Sequence, residues 1–283
     1  MFHAEIIFPE VTHITDAMGV SMTLIEGKNR AILFDAGYGT ENVKAFIHTL
    51  TGKPVSVLLS HGHHDHILGQ RWFEESRMCS DDLEEFRQRT GLVQRKKVAE
   101  QAGQKGIKLP ADFLTVRFRD PCPILFTEAL GRFAQETEDL GDLRVKIIHV
   151  PGHTPGSIVL YLEKYRLLLT GDNWNPCTWM WFPSSIPANC WRDNMKELIR
   201  DLETESGQEI ETVLCSHQPS ARKASEIKSF LTYMSDERIG KAPDVDMGTP
   251  IHTCEIRKEP EGWILLFDKD KTEQSRLPDG SLF

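Results

Sequence analysis

The sequence predicts an α/β protein in which helices cover mixed β-sheets. Two observations predict this class. Short apolar runs rich in β-branched residues alternate with segments whose apolar residues recur at helical spacing, and some of those runs are close enough along the chain to pair directly. The 283 residues are 40% hydrophobic and 27% charged, an ordinary globular balance, and they suffice to bury a sizeable core.

The pattern of residues 20–60 predicts three strands and a helix. Residues 20–27 and 31–37 are expected to pair as the start of a meander, and residues 54–60 form an apolar strand. Residues 40–50 have helical spacing, with Thr40 as the expected N-cap. The apolar face of that helix contains Val43, Phe46, Ile47 and Leu50.

The second part continues the alternation without any repeat of the sequence itself. In chain order, we expect strands at 143–150, 157–163 and 165–172, a helix at 192–205, a strand at 211–217, a helix at 220–234 and a hairpin at 252–270 that turns near 260–262. We expect a single domain over residues 1–283, with residues 245–283 as a C-terminal β-hairpin extension.

Residues 71–140 differ from the rest because they are charged and helix-prone. Asp81 and Glu84 have the spacing of a capping box, and Gly91 is an expected helix end. Long excursions between strands are often active-site lids. We therefore interpret this segment as a helical insertion that caps the functional site.

The charge and the cysteines limit the classes of partner. The net charge is −9 and the isoelectric point about 5.7, which argues against nucleic acid or an anionic membrane as a partner. The six cysteines form no CxxC pair. The first ten residues lack the pattern of a secretory signal, and no apolar run reaches the ~18 residues of a membrane span. We expect a cytoplasmic protein with free thiols.

Four histidines and one aspartate are crowded into "HGHHDH", residues 61–66, directly after an apolar strand. In an extended segment the side chains of His61 and His63 point the same way. Asp65 and His66 follow, where a turn can bring them to a second position nearby. A catalytic metal ion needs about three protein ligands, so these candidates exceed the needs of one ion and favour two.

Three more polar groups follow predicted strands elsewhere in the chain. His153 lies in "HVPGHTPGS", Asp172 in "LLLTGDNW" and His217 in "VLCSHQP". Because the carboxyl ends of strands are where α/β folds build their sites, we expect these three side chains to join the histidine cluster.

The series HxHxDH, PGHTPGS, TGD and SH resembles the metallo-β-lactamase superfamily of metallohydrolases over roughly residues 5–240. The resemblance implies a four-layer αββα sandwich with a two-metal site at the edges of the sheets. Carried over position by position, it implies that His61, His63 and His153 hold the first metal ion. It implies that Asp65, His66 and His217 hold the second ion, with Asp172 bridging the two.

Asp35 in "LFDAG" matches an early-strand aspartate of the family that supports the site from behind the ligands; its alternative role is to form the turn before Gly37. His64 fills the variable place of the motif, facing solvent or lying behind the ligands. The remaining histidines are interpreted as surface or hydrogen-bonded core residues: His3, His13, His48, His149 and His252.

The implied chemistry is hydrolysis of a small-molecule substrate. Two divalent ions lower the pKa of bound water from ~15.7 to about 7, which supplies a bridging hydroxide as nucleophile, and their remaining positive charge stabilises an oxyanion. Asp65 can hold the hydroxide and pass its proton to the leaving group. Zinc is the expected metal because nitrogen-rich sites suit it, with iron or manganese as alternatives.

Several reactions share this scaffold. A thioester or ester is the first expectation, because the chain is acidic and has an apolar segment beside the site. A lactone of the acyl-homoserine type, a phosphodiester and an iron-dependent persulfide dioxygenase reaction remain alternatives. The related lactonases carry a tyrosine three residues after the bridging aspartate, where this chain has Asn175.

The segment at 172–191 is rich in tryptophan. Trp174, Trp179, Trp181 and Trp191 lie within eighteen residues of one another, directly after Asp172. Three roles are open for these side chains: packing in the core, a homodimer contact, or an apolar wall of the substrate pocket. For the pocket, the candidates are Trp174, Trp179 and Trp181.

Overall fold

The computed structural model describes residues 1–271. Within that range the strands are β1 His3–Phe8, β2 Val11–Thr15, β3 Ser21–Glu26, β4 Ala31–Phe34, β5 Val55–Leu58, β6 Arg77–Met78, β7 Cys122–Pro123, β8 Glu128–Leu130, β9 Phe133–Asp139, β10 Arg144–His149, β11 Ile158–Leu162, β12 Leu167–Leu169, β13 Cys177–Met180, β14 Thr212–Leu214, β15 Arg222–Lys223, β16 Thr253–Lys258 and β17 Trp263–Asp268. The α-helices are α1 Val43–Leu50, α2 His64–Ile67, α3 Leu83–Arg89, α4 Leu92–Gln104, α5 Ala188–Ser206, α6 Ala224–Tyr233 and α7 Asp236–Gly240.

Two seven-stranded sheets form the body of the fold. The first has the spatial order β1 to β7, antiparallel up to β4 and parallel from β4 onwards. The second has the order β15-β14-β12-β11-β10-β9-β8. In the second sheet β12 and β14 are parallel, while β11 is antiparallel to both β10 and β12. The strands β10, β12 and β14 therefore all end at the same edge.

The side chains of each central strand alternate between two apolar layers. In β4, Ile32 and Phe34 face the second sheet, whereas Ala31 and Leu33 pack against α1. In β12, Leu168 lies on the face of the second sheet that points away from the first sheet. It packs there in the layer that contains α5 and α6. Strands buried on both faces need helices on both outer surfaces. The arrangement is the four-layer αββα sandwich that the resemblance implied.

Two details differ from the sequence prediction, and one agrees with it. The helix predicted from Thr40 begins at Val43, and Asn42 is its cap, because its Oδ1 accepts a hydrogen bond from Ala45 N at 3.0 Å. The capping box at Asp81 and Glu84 is absent, since Asp82 occupies the cap position of α3 and has no capping hydrogen bond there. The helix α3 does end before Gly91, which stands at the start of α4.

Residues 71–140 are only partly helical. The helices α3 and α4 occupy their middle, whereas β6 and β7 extend the first sheet and β8 and β9 extend the second. The short strands at both ends of the segment therefore belong to the scaffold. The helical excursion that lies outside the sheets is narrower than the predicted insertion.

The predicted C-terminal hairpin is present as β16 and β17, with Lys258 paired to Trp263 across the turn. It is joined to the body of the fold, because β17 also pairs in parallel with β13. Residues 272–283 of the predicted extension lie outside the described residues. Among residues 1–271, the structure has no helix that is both long enough and apolar enough to cross a membrane.

Trp174 is a core residue. It is fully buried with Trp191 in the cluster formed by the second sheet, α5 and α6. Removing a large aromatic side chain from a packed core costs about 3–5 kcal/mol. We expect Trp174→Ala to lower the free energy of unfolding by this amount in urea denaturation of metal-free protein. Trp179→Ala is the control, since its side chain is 42% exposed, and a loss equal to that of Trp174→Ala would contradict the assignment.

Candidate metal centre

The histidine motif occupies the loop after β5 and the single turn of α2. His61, His63 and His66 are all buried. Gly62 is required between the first two, because a Cβ there would lie 2.9 Å from Glu85 Cβ and from Phe86 N. The loop is thus pressed against α3, which holds the imidazoles away from solvent.

The three distant groups reach the same place because their strands end at one edge. His153 follows β10, Asp172 follows β12 and His217 follows β14. The two sheets approach closely here: Ile158 N donates to Ser60 O at 2.8 Å. Gly171 takes φ of 55°, and a Cβ at this residue would lie 2.9 Å from Ser60 Cβ.

The seven predicted ligands form two groups whose donor atoms lie within 4.8 Å of one another. The first contains His61, His63 and His153, and the second contains Asp65, His66, Asp172 and His217. In the first group His63 Nδ1 lies 2.8 Å from His153 Nε2. These are the groups that the resemblance implied for the two ions.

Asp172 lies between the two groups. Its Oδ2 is 3.0 Å from His217 Nε2, 3.3 Å from His66 Nε2 and 3.7 Å from His153 Nε2. Asp65 joins the second group through Oδ2, which is 3.5 Å from His66 Nε2 and 3.6 Å from His217 Nε2. The distances fit Asp172 as the carboxylate shared by two ions.

The donor atoms fit metal ions on their own chemistry. The Nε2 atoms of His61 and His66 are buried without a hydrogen-bond partner, which is costly unless a ligand occupies them. Burial, and then the neighbouring imidazoles, hold the pKa of His61 well below its usual range. Burial and His63 lower the pKa of His153 to about 3. Neutral imidazoles keep the lone pair that a metal ion needs.

In three of the rings, those of His61, His66 and His153, the nitrogen that faces away from the centre contacts a protein group. Asp35 Oδ2 accepts from His66 Nδ1 at 2.9 Å. Ser60 Oγ lies 2.9 Å from His61 Nδ1, and the carbonyl of Trp179 lies 2.6 Å from His153 Nδ1. Such contacts set the tautomer and direct the other ring nitrogen toward the metal.

Asp35 lies behind the ligands, at the position that the resemblance implied. It also accepts from Ser60 N at 2.7 Å and from Ser60 Oγ at 2.8 Å, so one carboxylate orients both His66 and the residue that contacts His61. Its backbone has φ of 67°, a conformation that aspartate and asparagine tolerate better than most residues. It therefore forms the turn before Gly37 as well.

A cleft of about 450 Å³ opens onto the two groups. Besides the ligands, its wall contains Tyr38, His64, Arg89, Gln101, Asn175, Cys177, Trp179 and Phe182. Of the predicted pocket residues, Trp179 lies in this wall. The ring of Trp181 stacks on the ring of Phe182, with centroids 4.6 Å apart. Trp174 was wrongly predicted there, because its ring turns into the core.

Several residues of the cleft wall carry no local sequence signal. Tyr38, Arg89 and Phe182 reach the cleft through contacts that only the folded chain creates. Asn175 donates from Nδ2 to Asp172 Oδ1 at 3.1 Å, and its Oδ1 accepts from His217 N at 3.2 Å. It therefore ties two ligands together. His64 lies 5.4 Å from Tyr38 between ring centroids, in the wall of the cleft.

A family model described as Metallo-beta-lactamase superfamily matches residues 15–217, the span that contains every ligand above. The chain belongs to this superfamily. Members of the superfamily are mostly metal-dependent hydrolases. The match establishes the family, and the two clusters supply side chains that could hold its metal ions.

Two curated relatives match part of the chain. An uncharacterized protein of Aquifex aeolicus (strain VF5) is 28% identical over 160 residues, 55% of this chain and 65% of the relative. Acyl-coenzyme A thioesterase MBLAC2 of Gallus gallus is 24% identical over 160 residues, 53% of this chain and 55% of the relative. The matched region thus spans less than two thirds of each relative.

Solved structures share the fold. A sec-alkylsulfatase, Pisa1 from Pseudomonas sp., aligns with 82% of this chain and 40% of its own at 16% identity and a TM-score of 0.58. A metallo-beta-lactamase from Pontibacter korlensis aligns with 82% of this chain and 98% of its own at 17% identity and a TM-score of 0.53. At these identities the likeness concerns the fold alone.

We expect Asp35→Asn to weaken metal binding by about 10–100-fold, the usual effect of losing a carboxylate behind a metal ligand. Asparagine keeps the left-handed turn, but its single amide oxygen cannot accept from both Ser60 N and His66 Nδ1, which contact different oxygens of Asp35. Competition with a chromophoric chelator measures the change. Asp142→Asn is the control, since this exposed carboxylate accepts only from Lys28 N among the described residues. Unchanged affinity in Asp35→Asn would reassign Asp35 to the turn alone.

Proposed function

We propose that the protein hydrolyses a small carbonyl substrate, a thioester or ester first, at a centre of two divalent ions, with zinc as the expected metal. One observation carries the proposal: the two ligand groups meet at Asp172 in a cleft whose wall includes Tyr38, Trp179 and Phe182. The second group has four members, which favours two ions over the single iron of a dioxygenase.

Two divalent ions, when bound, supply a water of lowered pKa and a Lewis acid for the reacting carbonyl. The chain supplies the proton transfer. The Asp65 side chain is 13% exposed and lines the cleft. As a carboxylate it can take a proton from the attacking water and return it to the leaving thiolate.

Tyr38 adds a neutral hydrogen-bond donor. Burial, and then the charge of Asp65, raise the pKa of its phenol above the usual range, so the hydroxyl stays protonated under all physiological conditions. Its ring forms part of the cleft wall. We assign it the role of donating to an oxygen of the bound substrate.

The aromatic wall favours a substrate with an apolar arm. Trp179, Trp181 and Phe182 form a continuous array with ring centroids 4.6–6.1 Å apart, and Trp179 is 42% exposed. Burying apolar area yields about 25 cal/mol per Å². A polymeric phosphodiester would instead meet a chain of net charge −9. The partial match to an acyl-coenzyme A thioesterase supports the same preference.

The test is a hydrolysis screen of metal-loaded protein across thioesters, esters, lactones and bis(p-nitrophenyl) phosphate. We expect the thioester or ester to be cleaved with the highest kcat/KM. Asp65→Ala should abolish turnover of every substrate, because it removes a ligand and the proton carrier together. Much faster cleavage of the phosphodiester than of any carbonyl substrate would overturn the proposal.

Trp179→Ala tests the aromatic wall. If the acyl arm lies on this ring, the ratio of kcat/KM for a long acyl substrate to that for a short one should fall about tenfold, which corresponds to about 1.4 kcal/mol of transition-state binding. The short substrate serves as the internal control, and Leu125→Ala, an exposed apolar residue outside the cleft wall, controls for nonspecific effects. An unchanged ratio would remove Trp179 from the substrate site.

A further inference from the structure

The start of α3 lies between the two loops that carry the first ligand group. Asp82 is fully buried there, although aspartate is rarely buried unless it is paired. Its Oδ2 accepts from Gly62 N at 2.8 Å and from Thr154 Oγ1 at 2.6 Å, and its Oδ1 accepts from Gly156 N at 2.7 Å. One carboxylate thus joins the loop of His61 and His63 to the loop of His153.

The approach of Asp82 depends on glycine in the loop of His153. A Cβ on Gly156 would lie 2.7 Å from Asp82 N and from its carboxylate atoms. No side chain fits at that distance. The glycine of "PGHTPGS" therefore leaves the space that the carboxylate of α3 fills.

Glu85 follows Asp82 by one turn and reaches the ligand ring itself. Its Oε1 lies 3.3 Å from His63 Nε2, an ion-pair distance at which the N–H is not well aligned for a full hydrogen bond. Arg89, four residues further along the helix, donates from Nε to the same oxygen at 2.6 Å. The guanidinium therefore holds the carboxylate against the imidazole.

The residue that supports the ring of His63 comes from a different part of the chain than the groups that support His61 and His153. Ser60 and the Trp179 carbonyl, which fix His61 and His153, belong to the loops of the metal site itself. For His63 the group behind the ring comes from the helical excursion. His63 Nδ1 faces His153. Glu85 contacts the other ring nitrogen, Nε2, and a carboxylate in that position orients a ligating histidine and raises its basicity.

We propose that Asp82 and Glu85 act as a carboxylate clamp that positions the first metal group, Asp82 through the two loop backbones and Glu85 through His63. Both are positioning residues. The clamp rests on the metal centre of the proposed function and is independent of the substrate. It makes the affinity of the first ion depend on the placement of α3.

The test is a metal titration that resolves the two equivalents of Zn²⁺ by chelator competition, with the visible spectrum of the Co²⁺-substituted protein as a second readout. We expect Glu85→Ala to weaken one equivalent by about 10–100-fold and to leave the other unchanged. Glu85→Gln should lose less, because its amide oxygen can still lie against His63 Nε2 and accept from Arg89 Nε. Glu84→Ala is the matched control on the exposed side of α3 and should bind both ions as the wild type does.

Asp82→Asn tests the other arm of the clamp, because an amide NH₂ cannot accept from a backbone N–H. It should weaken the same equivalent as Glu85→Ala and change the Co²⁺ spectrum. Wild-type affinity for both ions in Glu85→Ala and Glu85→Gln would overturn the proposal. So would equal weakening of both ions accompanied by a lower Tm of the metal-free protein, which would show an effect on folding. Inactivity toward thioesters with selective loss of one ion would overturn only the proposed substrate.

Discussion

The structure depends on bringing Asp172 within reach of three imidazoles that come from three different loops. A carboxylate and several imidazoles can be buried together only if each finds a partner, because an unpaired buried charge costs several kcal/mol. The partners of Asp172 lie in the loop after β5, the loop after β10 and the loop after β14. The centre therefore requires the edges of both sheets to meet at one place.

The scaffold meets this requirement through backbone geometry and two buried carboxylates, Asp35 and Asp82. The absence of a side chain at Gly171 lets the loop after β12 approach Ser60. Asp35 connects the end of β4 to the histidine motif, and Asp82 connects that motif to the loop of His153. Each carboxylate accepts several hydrogen bonds from loops that would otherwise move independently. Their combined effect is to arrange the ligands before any ion binds, which reduces the entropic cost of binding.

Much of this could be predicted from sequence because the signals are local. Each ligand follows a short apolar strand, and the spacing of His61, His63, Asp65 and His66 within one motif fixes how they divide between two groups. The position of Asp35 behind the ligands was implied by the family resemblance, and its contacts fit that position. The hairpin was predicted because alternating residues flank a clear turn.

The rest depends on contacts that no local pattern records. Trp174 lies two residues after a ligand, yet the turn of the chain directs its ring into the core, so proximity in sequence misled the pocket prediction. Asp82 reaches Gly156 across 74 positions, and its polar sequence neighbours resemble an ordinary helix start. The strands β6 and β7 have two residues each, too few to show a period, so the limits of the helical excursion could not be placed.

A crystal structure of the zinc-loaded protein, with anomalous difference maps on both sides of the zinc absorption edge, tests most directly whether two ions share Asp172. We expect two peaks per chain, one among His61, His63 and His153 and one among Asp65, His66 and His217, with Asp172 between them. A single peak at full occupancy, with Asp172 turned away from the other group, would contradict this expectation.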